Sequence, residues 1–282
     1  TYGNAWLPWL TKNQEPFGFV IYQAQLDNAH LRPEIAAALE SNLDVLVRLQ
    51  IYTDDSQRAA EPTAPEMPTV AEYTERSSSL IEPLRGLRVL GITLDEENVY
   101  WSGRAEFLGS VYHELKSKFP ETNLFQWYSS SQTPNVPGKS WPNLPADGWI
   151  VNQYLMPSQA YQDYIAEMGK ATPRLISVVW ASPQWVPGMS DGQERSETWW
   201  NRTGWRVFYE QMAINLRYGV DTAFFMFSLE PQAVPLWDSA DPCIQRFLAA
   251  FIGRTVPHLK RAQSLPASVA QRLDWLPSYC DQ

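Results

Sequence analysis

One short stretch of the chain concentrates groups that could do chemistry: Gly91-Ile92-Thr93-Leu94-Asp95-Glu96-Glu97-Asn98, an apolar run that ends in three consecutive acids. Side chains alternate along a strand. If a strand runs through this stretch, Thr93, Asp95 and Glu97 share one face and Glu96 takes the other. Two carboxyls held close together repel, and the repulsion raises the pKa of one of them. A protonated carboxyl beside an ionised one is the pair that glycosidic-bond cleavage requires. The competing reading is a solvated acidic turn leading into a helix, where acids are also stabilising. The place of the acids, at the end of an apolar strand, favours chemistry. A bulge would exchange Glu96 for Glu97 on the working face.

A second carboxyl, Glu230, follows another apolar run, Phe224-Phe225-Met226-Phe227-Ser228-Leu229. Paired with Glu97 it would serve a retaining mechanism at a separation of about 5–5.5 Å and an inverting one at about 6.5–9.5 Å. The alternative for Glu230 is a first-turn helix acid or a loop ion pair. Gln126, Tyr128, Asn152 and Trp180 lie near the ends of strand-like runs and could bind sugar hydroxyls, or simply fill a core. Asp54 and Asp55 precede a Pro-rich loop and read as a turn.

The elements that must position these groups alternate between strand-like and helix-like, the pattern of a parallel sheet with crossover helices. Strands are expected over 18–25, 44–52, 88–95, 123–129, 148–155, 174–181 and 221–229, with an eighth candidate near Trp6 to Leu10 that would come first. Helical spacing of apolar residues marks 32–42, 104–119, 197–218 and 244–252. Pro33 suits a first turn, and Gly219 is placed to cap a helix end.

The connections are unequal. Those from helix to strand are short: SNLD, RGLR, FPETN, ATPR and YGVD. Those from strand to helix are long, over 53–69, 130–147, 182–196 and 230–242. Long loops at the carboxyl ends of parallel strands are the signature of the working face of a (β/α)8-type TIM barrel. The expected architecture is therefore one such barrel domain over residues 1–282. Four prolines in 130–147 (Pro134, Pro137, Pro142 and Pro145) predict that one barrel helix is replaced by an irregular loop.

Composition narrows the partners. Of 282 residues, 31 are acidic and 22 basic, a formal charge of −9. Such a chain without a basic cluster is a poor match for a phosphate backbone, so no nucleic acid is expected. No apolar run is long enough to span a bilayer, so no membrane partner is expected. The 13 Trp include Trp141, Trp185, Trp199 and Trp237 in Pro-rich loops, where flat indole faces suit the C–H faces of sugar rings. His30, His113 and His258 are isolated, and no H-E-x-x-H or paired C-x-x-C occurs, so no metal is expected. No phosphate-binding Gly-rich motif and no G-x-S-x-G are present, so no nucleotide cofactor and no elbow-type serine nucleophile are expected. Cys243 and Cys280 are either one disulfide or two thiols. A start at Thr1 and the sequon Asn201-Arg202-Thr203 fit a processed, secreted chain. A monomer is expected.

The segment Gly91 to Glu97 resembles the D-x-x-D-x-D-x-E strand of chitinase-like, family eighteen glycoside hydrolases, with Thr93 where that family has an Asp. Counted on from it, Asn152-Gln153-Tyr154-Leu155 matches the Tyr of M-x-Y-D but not its Met or Asp. Thr222 to Pro231 resembles the closing strand, with Ser228 or Leu229 in place of its Trp. The resemblance implies that Glu97 protonates the glycosidic oxygen and that Asp95 orients a substrate 2-acetamido group acting as nucleophile, while Tyr154 bonds the acetamido oxygen. The departures at Thr93 and in the closing strand put the N-acetyl preference in question. Together these readings point to a glycosidase acting on an oligo- or polysaccharide without a cofactor. A carbohydrate-binding barrel that has lost catalysis is the alternative.

Overall fold

A computed structural model describes residues 19–25, 29–51, 69–94, 104–128, 145–152, 156, 158–180 and 205–225. The expected strand at 6–10, the helix at 244–252, most of the Pro-rich loop, both cysteines and the sequon lie outside the described residues.

The described elements alternate as expected: β1 (Phe19–Gln25), α1 (Leu31–Glu40), β2 (Asp44–Gln50), α2 (Val70–Ile81) with a 3-10 turn (Glu82–Leu84), β3 (Gly91–Thr93), α3 (Arg104–Lys118), β4 (Leu124–Tyr128), β5 (Gly148–Asn152), α4 (Ser158–Ala171), β6 (Leu175–Trp180), α5 (Trp205–Tyr218) and β7 (Asp221–Phe225). The strands follow one another in chain order in a seven-stranded sheet, and the pairs β1–β2, β2–β3, β3–β4 and β6–β7 are parallel. Parallel neighbours joined by crossover helices make the fold class a (β/α)-barrel.

Contacts group the chain into two compact units. The first contains β1 to β4, α1 to α3 and the start of β5 at Gly148–Ile150. Leu31, Ile35 and Ala38 of α1 and Leu108, Val111, Tyr112 and Leu115 of α3 are buried, and they recur at the helical spacing that packs one face on a sheet. Phe107 of α3 meets Tyr73 of α2 edge to face, with ring centroids 5.6 Å apart. Asp147 secures the start of β4: its carboxylate accepts from the Leu124 N–H at 2.8 Å and from Lys116 Nζ at 2.9 Å.

The second unit contains α4, β6, α5 and β7. Tyr161 of α4 shares a hydrogen bond with Ser177 of β6 and donates to Asn215 Oδ1 of α5 at 2.9 Å. Asn215 in turn donates to Thr222 Oγ1 of β7 at 3.1 Å. One polar chain therefore links four of the described elements. Burial raises the Tyr161 phenol pKa well above its ordinary range, against the smaller opposing effect of its two hydrogen bonds.

The helix-to-strand turns are as short as expected, and three of them contain a left-handed residue: Asn42, Gly86 and Gly219. Gly219, at φ 66°, ends α5 and lets the Val220 N–H reach Asn215 O at 2.8 Å. After α1 the same turn is made by Asn42 at φ 59°, a residue type that tolerates this conformation. Helix α2 opens on a capping box: the Glu72 N–H donates to Thr69 Oγ1, and the Thr69 N–H donates back to the Glu72 carboxylate. The stretch 88–95 yields strand only over Gly91–Thr93 among its described residues.

Candidate functional site

Register and contacts assign the two faces of the sheet in the first unit. The Tyr22 hydroxyl donates to Glu34 of α1, so Tyr22 stands on the helix side. Paired residues of adjacent parallel strands point the same way. The chain of partners Tyr22↔Val47, Val47↔Ile92 and Ile92↔Leu124 carries the helix side from β1 to β4. Gln126 and Tyr128, in step with Leu124, fall there too. The opposite face then carries Gln23, Arg48, Gln50, Gly91, Thr93, Phe125 and Trp127, and in a (β/α)-barrel it is the interior.

Side-chain contacts agree with this assignment. On the helix side Tyr112 of α3 donates to Phe125 O at 2.6 Å and to Gln126 Oε1 at 2.9 Å. On the opposite face Gln23 donates to Gln50, and the Arg48 guanidinium lies over the Trp127 ring, 5.1 Å from its centroid. A methyl group built on Gly91 would strike the Phe125 ring at 2.5 Å.

Of the two expectations for Gln126 and Tyr128, sugar binding or core filling, their surroundings match core filling. Both are buried on the helix side. The Gln126 amide is committed at each end, accepting from Tyr112 and donating from Nε2 to Trp127 O at 2.6 Å. Tyr128 packs edge to face on Trp149 of β5, with centroids 5.2 Å apart. Burial raises the Tyr112 phenol pKa well above its usual value. These groups join the sheet to its helices.

Thr93 stands on the interior face, fully buried, with its hydroxyl donating to Leu94 O at 3.0 Å. The alternation that would bring Asp95 and Glu97 to the same face starts from it. Asp95, Glu96, Glu97, Tyr154 and Glu230 lie outside the described residues, as do Trp141, Trp185, Trp199 and Trp237. Asn152 and Trp180 are the last residues of β5 and β6.

The residues passed over in the sequence are Gln23, Arg48, Gln50 and Trp127, which form a polar layer towards the carboxyl ends of β1, β2 and β4. A signal for three of them was there: polar residues two apart in otherwise apolar runs, as in Val45-Leu46-Val47-Arg48-Leu49-Gln50. Trp127 carried none, because an indole between Gln126 and Tyr128 reads equally well on either face.

No known protein-family profile matches the sequence, and no curated protein matches it. Solved structures do match. A GH113 β-1,4-mannanase aligns with a TM-score of 0.54 at 12% identity, over 89% of this chain and 93% of that one. A family 39 glycoside hydrolase from the gut symbiont Bacteroides cellulosilyticus WH2 aligns with a TM-score of 0.52 at 11% identity, over 78% of this chain. The match covers 52% of that enzyme, so the chain spans about half its length. A family 18 chitinase from Crocus vernus aligns with a TM-score of only 0.30. The likeness is one of fold, to the barrels of a family 39 and a GH113 glycoside hydrolase, and it does not single out family eighteen.

Proposed function

We propose that this chain is a glycoside hydrolase acting on an oligo- or polysaccharide, with Glu97 as general acid/base and Asp95 beside it. The observation that carries the reading is the place of Thr93. It lies on the interior face of β3 in a barrel whose structural neighbours include glycoside hydrolases. Asp95 and Glu97 stand two and four residues further along the sequence, the spacing at which a continuing strand would turn them to the same face. Glu230, which follows β7 in the sequence, is the second carboxyl in the two-carboxylate form of the proposal, and the substrate is a neutral glycan such as the β-1,4-mannan named for the GH113 neighbour. Family eighteen chemistry, with Asp95 orienting a 2-acetamido nucleophile and Tyr154 bonding it, is the narrower form of the proposal. The Thr93 hydroxyl, bonded to Leu94 O, stands where that chemistry has a carboxyl.

The test is release of reducing ends from a glycan panel by wild type and Glu97→Gln. The expected result is activity in the wild type that falls about a hundredfold or more in the variant. Dependence of the rate on a 2-acetamido group would select the substrate-assisted route, and indifference to it would select Glu230. The same substitution at Thr93 favours a second reading, a binding barrel without catalysis. Glycan binding with no release of reducing ends would establish that reading and remove the first.

A further inference from the structure

Among the described residues, the Trp127 indole N–H on the interior face is a buried donor without a hydrogen-bond partner. The residue is 6% exposed, and its Nε1 has no hydrogen-bond partner. A buried donor left unsatisfied is costly, and native proteins rarely keep one without a use for it. The tyrosines on the helix side show the contrast, since the Tyr112 hydroxyl meets both Phe125 O and Gln126 Oε1. The Trp127 ring face is also occupied, because the Arg48 guanidinium covers it at 5.1 Å from the centroid. That one face is closed to a stacked sugar ring. The polar group the indole can offer a ligand is the N–H on its edge. Around it the interior face is lined with neutral donors and acceptors, the hydrogen-bonded Gln23–Gln50 pair and Thr93.

From this geometry we infer that Trp127 is a specificity-determining residue whose indole N–H donates to a hydroxyl oxygen of the bound glycan, with Arg48 holding the ring in place. The inference rests on the carbohydrate reading above and names a binding group within it. Binding brings the acceptor to the indole N–H.

The experiment is calorimetric binding of soluble β-1,4-linked hexasaccharides of mannose, xylose, glucose and N-acetylglucosamine. It compares Glu97→Gln with Glu97→Gln/Trp127→Phe, so that no sugar is consumed. Phe keeps an aromatic ring under Arg48 and deletes the N–H. The expected result is a loss of affinity of about five- to tenfold for whichever sugar binds, with a melting temperature that stays the same or rises because an unsatisfied donor has gone. Trp127→Tyr is measured in parallel, in case the first variant does not fold. Unchanged affinity in a folded variant overturns the inference and leaves the carbohydrate reading standing. Failure of the Glu97→Gln parent and the wild type to bind any of the four sugars overturns both.

Discussion

Gly91 shows how a single residue can carry a constraint invisible to composition. The Phe125 ring of the paired strand lies against it, and a Cβ on Gly91 would approach that ring at 2.5 Å and the carbonyl of Asn123 at 2.9 Å. The ring can swing away, but the carbonyl cannot, because it accepts the Ile92 N–H at 2.8 Å and so pairs β3 with β4. Gly91→Ala should cost about 1–3 kcal/mol, as overpacking does in a filled interior, measured as a lower urea midpoint. A substitution with no effect on the midpoint would show that β3 has room to move. The glycine was visible in the sequence as the start of the acidic segment; its packing reason was not, because Phe125 lies far along the chain.

At the scale of the element, helix α2 is anchored by its first turn. Thr69-Val70-Ala71-Glu72 is a capping-box pattern, so this helix start could have been read from the sequence. Thr69→Ala should destabilise the protein by about 1 kcal/mol, and Thr69→Ser should restore most of it. The Glu72 carboxyl is held below its ordinary pKa, first by the Thr69 backbone N–H and then by the Thr69 hydroxyl. A lowered folded-state pKa contributes stability that is present above the unfolded value and lost as pH falls through the folded one. The stability gap between wild type and Glu72→Gln should therefore be full near neutrality and close on acidification below the usual glutamate pKa of about 4.3. A gap independent of pH in that range would contradict the ionised cap. Helix α4, by contrast, was only implied by the short turn that follows it, because tyrosines supply much of its buried face and blur an aliphatic pattern: Tyr161 and Tyr164 with Ile165 and Met168.

At the scale of the whole molecule, each compact unit keeps a buried phenol protonated, Tyr112 in the first and Tyr161 in the second. Their pKa values are raised in the fold. Their contribution is thus complete below the unfolded tyrosine pKa of about 10 and lost as pH rises above it. Stability should fall steeply in alkali, and Tyr161→Phe should flatten that fall. The same variant should cost about 1–3 kcal/mol near neutrality, since the Ser177 hydroxyl and Asn215 Oδ1 lose their partner. An alkaline profile identical in wild type and Tyr161→Phe would refute the assignment.

The barrel class, the order of its elements and the short helix-to-strand turns were legible in the linear chain, because each follows from local periodicity and from turn residues such as Gly219. The acids Asp95 to Glu97 stand out in the linear chain as a departure from an apolar run, and they lie outside the described residues. Which face each strand presents was not legible. Gln126 is polar and sits near a strand end, yet it bonds to α3, while apolar-looking Trp127 shares the interior face with Arg48. Alternation predicts that neighbours point oppositely, but its phase is set by register with the next strand and by the helix that covers one side. Those contacts join residues distant in sequence, so only the tertiary structure decides which of two adjacent side chains faces the interior.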